Sequence, residues 1–325
     1  MVKNTNLTSQ SENFEKFLIN TISLFLFLFL FSCDKDEVEN IKIEKSLELQ
    51  IENDRFKIVN AQLDGIENCD RISIGVMYQK SEKENFTIVF NLLKNGGLEE
   101  IRLIDYHINN DFYETADFNS TGLMKIVNFK YYEANKYLHF EFDGELIRVE
   151  SDYNSLDKNQ PRKHIQGAVT VNNLRTIECN TFISNLDFET PFLKFTTTRP
   201  FANYDSGLKT NPYHFYFYSD NGYRTIFKSK VDLWNQEKGT YNFDQNSIEN
   251  RIDFEQYIGI FRATQLLWIR DIDWKKFQTS GSYTILGHQI INGQKVTNGE
   301  FNIQIFDNGV SKHNITNAKF EVIGF

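Results

Sequence analysis

The chain predicts an all-β fold: two antiparallel β-sandwich units behind an N-terminal signal peptide and a short tether. Three observations carry this. Thirty Phe and fifteen Tyr among 325 residues enrich the chain in strand formers. Apolar and polar residues alternate in short runs, most clearly at Tyr137–Val149. There Leu138, Phe140 and Phe142 face one way, and His139, Glu141 and Asp143 the other. Gly-containing turn signals recur between such runs. Phe and Tyr, like Ile, Asn and Lys, have AT-rich codons, so the aromatic excess by itself does not mark a binding surface.

The N-terminus reads separately. Ile22–Phe31 holds ten residues of which only Ser23 is polar, and the run extends back to Phe17. A bilayer-spanning helix needs about 20 apolar residues, so this length fits a signal-peptide core. Leu30-Phe31-Ser32-Cys33 resembles the lipobox of bacterial lipoproteins. The resemblance implies cleavage before Cys33, a diacylglyceryl group on its thiol and a palmitate-type acyl chain on the new amino group. Two or more chains anchor stably where one does not. The next residues, Lys35, Asp36 and Glu37, resemble the export signal of Bacteroidota surface lipoproteins. The implied location is the outer membrane, lipid-anchored and facing the cell surface, with the periplasmic face as the alternative.

Residues 1–32 are thus the signal peptide, and 33–45 a lipidated, flexible, acidic tether. Their first part carries two Lys and two Glu, so the remaining 293 residues keep the net charge of −9. That balance excludes a nucleic-acid partner, whose phosphates require a basic face. A length near 290 residues suits two ordinary domains, here 46–185 and 186–325.

In order, strands are expected around Leu47–Ile51, Phe56–Ala61, Ile72–Tyr78, Phe86–Leu92, Ile101–His107, Tyr137–Val149, Ile165–Val171 and Leu174–Phe182. Asp64-Gly65, Asn95-Gly96-Gly97 and Asp143-Gly144 read as turns, and 151–163 as a loop. Pro191, Pro200 and Pro212, three of the four prolines, mark a linker-like break. The second unit opens with Tyr213–Tyr218, Asn221-Gly222 and Tyr223–Leu233. Tyr241–Phe243 is a short strand and Arg251–Phe261 the one helical candidate. Thr264–Trp274, Ser282–Ile291, Gly299–Phe306 and Ala318–Ile323 follow as strands. Asn292-Gly293, Asn298-Gly299 and Asp307-Asn308-Gly309 read as turns. An internal echo relates His164-Ile165-Gln166-Gly167 to Val296-Thr297-Asn298-Gly299. The last 45 or so residues resemble small β-sandwich lipoproteins of Bacteroidota, a likeness that brings no catalytic residues.

Chemistry is sparse. No nucleophile elbow, HExxH, P-loop or dinucleotide fingerprint occurs, and the six His are scattered. No metal or cofactor is expected. Cys69 and Cys179 either form a disulfide or stay as two buried thiols, the marginally favoured alternative. Asp271 and Asp273, flanked by Trp268 and Trp274, are weak candidates for a sugar or calcium contact. In a regular strand, however, the Trp and Asp side chains point apart. Asp220-Asn221-Gly222 lacks the spaced acids of a calcium loop. Tyr213, Tyr216 and Tyr218 can line a ligand platform or simply fill a sheet. Two functions of different class remain. One is a non-catalytic surface module binding glycan, protein or an outer-membrane assembly. The other is a polysaccharide-acting enzyme using acids such as Glu141, Asp271 and Asp273 across a cleft.

Overall fold

The computed structural model describes residues 44–81, 84–106, 111–150, 158–264 and 270–325. Cys33, Lys35, Asp36, Glu37 and Trp268 lie outside the described residues. The described chain is all-β, with only short 3-10 turns besides strands.

The first sheet is built from β1 (Lys45–Ile51), β2 (Asp54–Val59), β3 (Leu63–Asn68), β4 (Arg71–Ser81), β5 (Glu84–Leu93) and β6 (Leu98–Asp105). It continues with β7 (Asp111–Glu114), β8 (Met124–Tyr132), β9 (Tyr137–Arg148), β10 (Arg162–Val171) and β11 (Arg175–Ile177). The strand order is β11-β3-β4-β5-β6-β7-β9-β10-β1-β2, with β8 also on β9. Every pairing is antiparallel except β11 with β3. Strict alternation explains the core. Leu138, Phe140 and Phe142 of β9 are buried with Ile72, Ile74 and Val76 of β4 and Ile88 and Phe90 of β5. One cluster draws residues from β1 through β10, so the sheet curls around a single core.

The second sheet is built from β12 (Asn185–Thr190), β13 (Leu193–Tyr204), β14 (Tyr213–Ser219), β15 (Tyr223–Ser229), β16 (Gly239–Phe243), β17 (Arg251–Tyr257), β18 (Trp274–Ile291), β19 (Gln294–Asp307) and β20 (Val310–Ile323). Eight of these close a barrel in the order β12-β13-β14-β15-β17-β18-β19-β20, with β20 returning to β12. β16 lies outside the ring on β18. Phe195, Phe227, Phe301, Ile303 and Phe320 fill the interior, as side chains do in a barrel of this size.

Several sequence expectations change. Arg251–Phe261 is not helical: Arg251–Tyr257 is β17, between β15 and β18. Its Ile252 and Phe254 alternate into the barrel core, a two-residue period that the short window concealed. Asp64-Gly65, Asp143-Gly144 and Asn298-Gly299 are not turns but lie inside β3, β9 and β19. Close approach explains them. A Cβ at Gly144 would sit 2.1 Å from the Leu123 carbonyl oxygen, and one at Gly299 2.4 Å from the Phe320 ring. The prolines do not form a linker either. Pro200 is inside β13, and Pro191 and Pro212 flank turns of the same sheet. Leu174–Phe182 reduces to the three-residue β11. Thr264–Trp274 is not one strand, since Asp271–Asp273 is a 3-10 turn.

Both sheets lie in one compact unit. They meet at two small clusters, Phe118 with Tyr218, Tyr257 and Trp274, and Ala116 with Ile147 and Ala263. Backbone bonds cross the join, with Asp117 N–H donating to the Arg262 carbonyl at 2.8 Å and Thr121 N–H to the Asp220 carbonyl at 2.9 Å. A disulfide joins Cys69, in the β3–β4 turn, to Cys179, after β11. The expectation of two buried thiols is therefore replaced, and Cys179 is exposed.

Candidate functional site

The structure does not bring the sequence candidates together. Trp274 is buried at the join, with the Arg224 guanidinium 4.0 Å from its ring centre. Asp273 is buried and held by Arg262 and Arg270, each with a contact at 2.9 Å. Burial pushes its carboxyl up, but the hydrogen bonds from Arg270 and Arg262 outweigh this and hold it below the usual range. Asp271 points to solvent beside Lys276. Glu141 is in the other sheet, on β9 beside His139. Asp271 and Asp273 thus do not share a strand face, because the turn between them breaks the period of two.

Acids do cluster at the join. Glu99, Glu100, Glu114 and Asp117 line a narrow cleft with Phe118, Arg199 and Tyr218. Its volume is about 20 Å³, room for about one water. Arg102 binds Glu114 at 2.8 Å and Glu100 at 3.0 Å. Burial, then the neighbouring Glu100, push the Glu114 carboxyl up, against the pull of Arg102. Among the described residues, no group of three or more His, Cys, Asp or Glu is arranged to hold a metal. This cluster belongs to the joint between the sheets and is too tight to admit a sugar.

The second cleft is different in kind. It has a volume of about 340 Å³ and opens on the barrel wall. One side is Pro200, Phe201 and Ala202 of β13 with Phe215, Tyr216 and Phe217 of β14. The other is Phe182–Ser184 with Ile323, Gly324 and Phe325. Its origin is local. β13 changes partner midway: Leu193–Thr196 pair with β12, and Thr197–Tyr204 with β14. At the changeover Thr197 ends the β12 ladder with its side chain. Its hydroxyl donates to the Leu186 carbonyl and accepts the Leu186 N–H at 3.0 Å. The Asp187 carboxylate accepts the Thr197 N–H at 3.0 Å. Beyond that point the strands diverge and a seam opens.

Pro200 and Ala202 are small and lie opposite Phe217 and Phe215. The core rings of β14 therefore floor the cleft. Phe201 packs on Tyr216 at 5.9 Å between centroids, and Phe325 on Phe215 at 5.7 Å. Phe201, Tyr204 and Phe325 are each about half exposed, at 51%, 51% and 52%. Exposed aromatics grouped on an apolar cleft point to ligand contact more than scattered ones do. Of the tyrosine platform, Tyr216 lines the cleft, Tyr213 flanks it against Phe325, and Tyr218 is buried at the join.

Sequence reasoning missed this site because its residues come from four separated segments. The available signal was a single proline, Pro200, within the threonine- and aromatic-containing stretch Leu193–Tyr204, which marks an edge strand rather than a linker. Comparison with known proteins adds no name: no family model, curated protein or solved structure matches the chain.

Proposed function

We propose that this protein is a non-catalytic binding module, held at the outer membrane surface by lipid on Cys33 and engaging its ligand in the aromatic cleft beside β13 and β14. The cleft is the observation that carries the reading. A volume of about 340 Å³ lies in the range of ligand sites, and its lining is aromatic and aliphatic with Ser184 as the one side-chain hydroxyl besides Tyr216. The anchoring half rests on the lipobox-like Leu30–Cys33 and on Lys35, Asp36 and Glu37.

A polysaccharide-cleaving site needs two carboxyls at a defined separation. The cleft lining carries no Asp or Glu, which supports binding over hydrolysis at this place. Ligand-observed NMR with an indole, a disaccharide and a short apolar peptide tests the cleft. Binding of at least one probe is expected, and it should weaken when Phe201→Ala and Phe325→Ala are combined. Probes that bind equally well to that double variant would remove the cleft from the reading.

A further inference from the structure

We propose that the seam beside β13 accepts an extended polypeptide as an added strand, its apolar side chains entering the cleft. The proposal rests on the reading of the cleft as a binding site, and names the ligand class.

The backbone carries it. Asp205 N–H donates to the Pro212 carbonyl at 2.8 Å, and the register runs without a shift from Arg199 to Tyr204. Antiparallel pairs alternate between bonded and non-bonded. Arg199, Phe201 and Asn203 therefore turn their backbone groups to β14, while Pro200, Ala202 and Tyr204 turn theirs away. The missing N–H of Pro200 falls on the side where no ladder needs it.

Among the described residues no strand pairs with that outer edge, because the β12 ladder stops at Thr196. The facing wall is tied elsewhere. Phe182 N–H donates to the Gln294 side chain at 2.6 Å, and Ile323 N–H to the Ser184 hydroxyl at 2.9 Å. The seam is thus continuous with the ladder that closes the barrel, yet is not closed by it. Carbonyls at Pro200, Ala202 and Tyr204, with N–H groups at the last two, repeat every second residue. Another strand offers the complement of that repeat at the same spacing of about 6.6–6.8 Å. A glycan offers no such repeat. The floor rings of Phe215 and Phe217 then meet the alternate side chains of the guest.

The probe is a fluorescein-labelled nonapeptide alternating threonine with valine or phenylalanine. Its control carries N-methyl groups on alternate amides. The unmethylated peptide should bind and slow amide exchange at Ala202 and Tyr204 at least about tenfold, with Phe201 and Asn203 unchanged. Ala202→Pro should weaken binding about tenfold, the value of one lost hydrogen bond, and N-methylation, which removes several guest donors at once, should weaken it further. The Ala202→Pro variant should melt as the parent does, since its lost N–H faces outward. Binding that leaves exchange at Ala202 and Tyr204 unaltered, or that survives N-methylation, overturns strand addition but leaves the cleft as a site. Fragment binding without peptide binding does the same. Failure of peptide and fragments alike overturns both. Protection of Ala202 in the free protein that disappears on dilution makes the occupant a second copy, and overturns the foreign strand.

Discussion

Asp117 shows how the join sets the charge state of single residues. Its carboxyl is buried, accepts the Thr264 hydroxyl at 3.1 Å and sits near Arg199 and Arg262. Burial outweighs these partners and pushes it up to about 6 from 3.8. The folded state then holds this proton more tightly than the unfolded state. Its contribution to stability is present below about pH 4 and is lost as pH rises through about 6. Over that window the loss is at most about 3 kcal/mol, at 1.36 kcal/mol per pKa unit. Asp117→Asn should flatten the decline, so that parent and variant melting temperatures diverge between about pH 4 and 7. A constant difference at every pH would remove this role. Arg224 and Glu255 are a second buried charge pair, in contact at 2.8 Å on adjacent strands. Removing one partner leaves the other uncompensated, a loss of about 3–5 kcal/mol. Glu255→Gln should therefore lower the urea midpoint strongly, although it changes few atoms.

At the scale of elements, the facing of two strands gives a direct comparison. Phe140 of β9 and Ile303 of β19 are buried in separate cores. Their neighbours Glu141 and Gln304 lie on the opposite, more accessible faces. A lysine at either core position buries an unpaired charge and should cost several kcal/mol, about 3 or more. Glu141→Lys and Gln304→Lys should stay within about 0.5 kcal/mol. Thermal melts of the four variants check this, and equal losses within a pair would contradict the assignment. The echo around Gly167 and Gly299 also acquires a physical form. Each glycine pairs with a phenylalanine of a neighbouring strand, Phe142 of β9 or Phe320 of β20. A Cβ on either glycine would meet that ring within 2.9 Å. Both strands thus use a missing side chain to let a core ring lie flat against the backbone. The surrounding topologies differ, one sheet curled and one closed.

For the molecule as a whole, the Cys69–Cys179 bond ties the first sheet to the segment leading into the barrel, over a separation of 110 residues. The chain-entropy model assigns a loop of that size about 4–5 kcal/mol. Replacing both cysteines by Ala should lower the urea midpoint accordingly, and an unchanged midpoint would show that the join holds without the bond. Anchoring is tested in cells. Cys33→Ser should abolish labelling by a fatty-acid analogue and leave an uncleaved precursor. Alanine at Lys35, Asp36 and Glu37 together should remove protease accessibility in intact cells at constant total protein. Unchanged labelling ends the lipoprotein reading, and equal shaving ends surface display.

The sequence by itself determined the fold class and much of the facing. Alternation is a property of neighbouring residues, so Leu138, Phe140 and Phe142 reveal their common side without knowledge of any partner. The tight turns at Asn292-Gly293 and Asn308-Gly309 were legible for the same reason, with both residues of each at positive φ. Asn298-Gly299 has the same spelling and lies within a strand. What separates it is the Phe320 ring, supplied by a strand some twenty residues away. Arg251–Tyr257 is a strand because β15 and β18 flank it, not because its own residues exclude a helix. Closure of the barrel, the choice of eight strands for it, and the seam beside Pro200 were likewise decided only in three dimensions. A strand's hydrogen-bond partners are remote in the chain, so the place where a ladder stops cannot be read from the strand that is left without one.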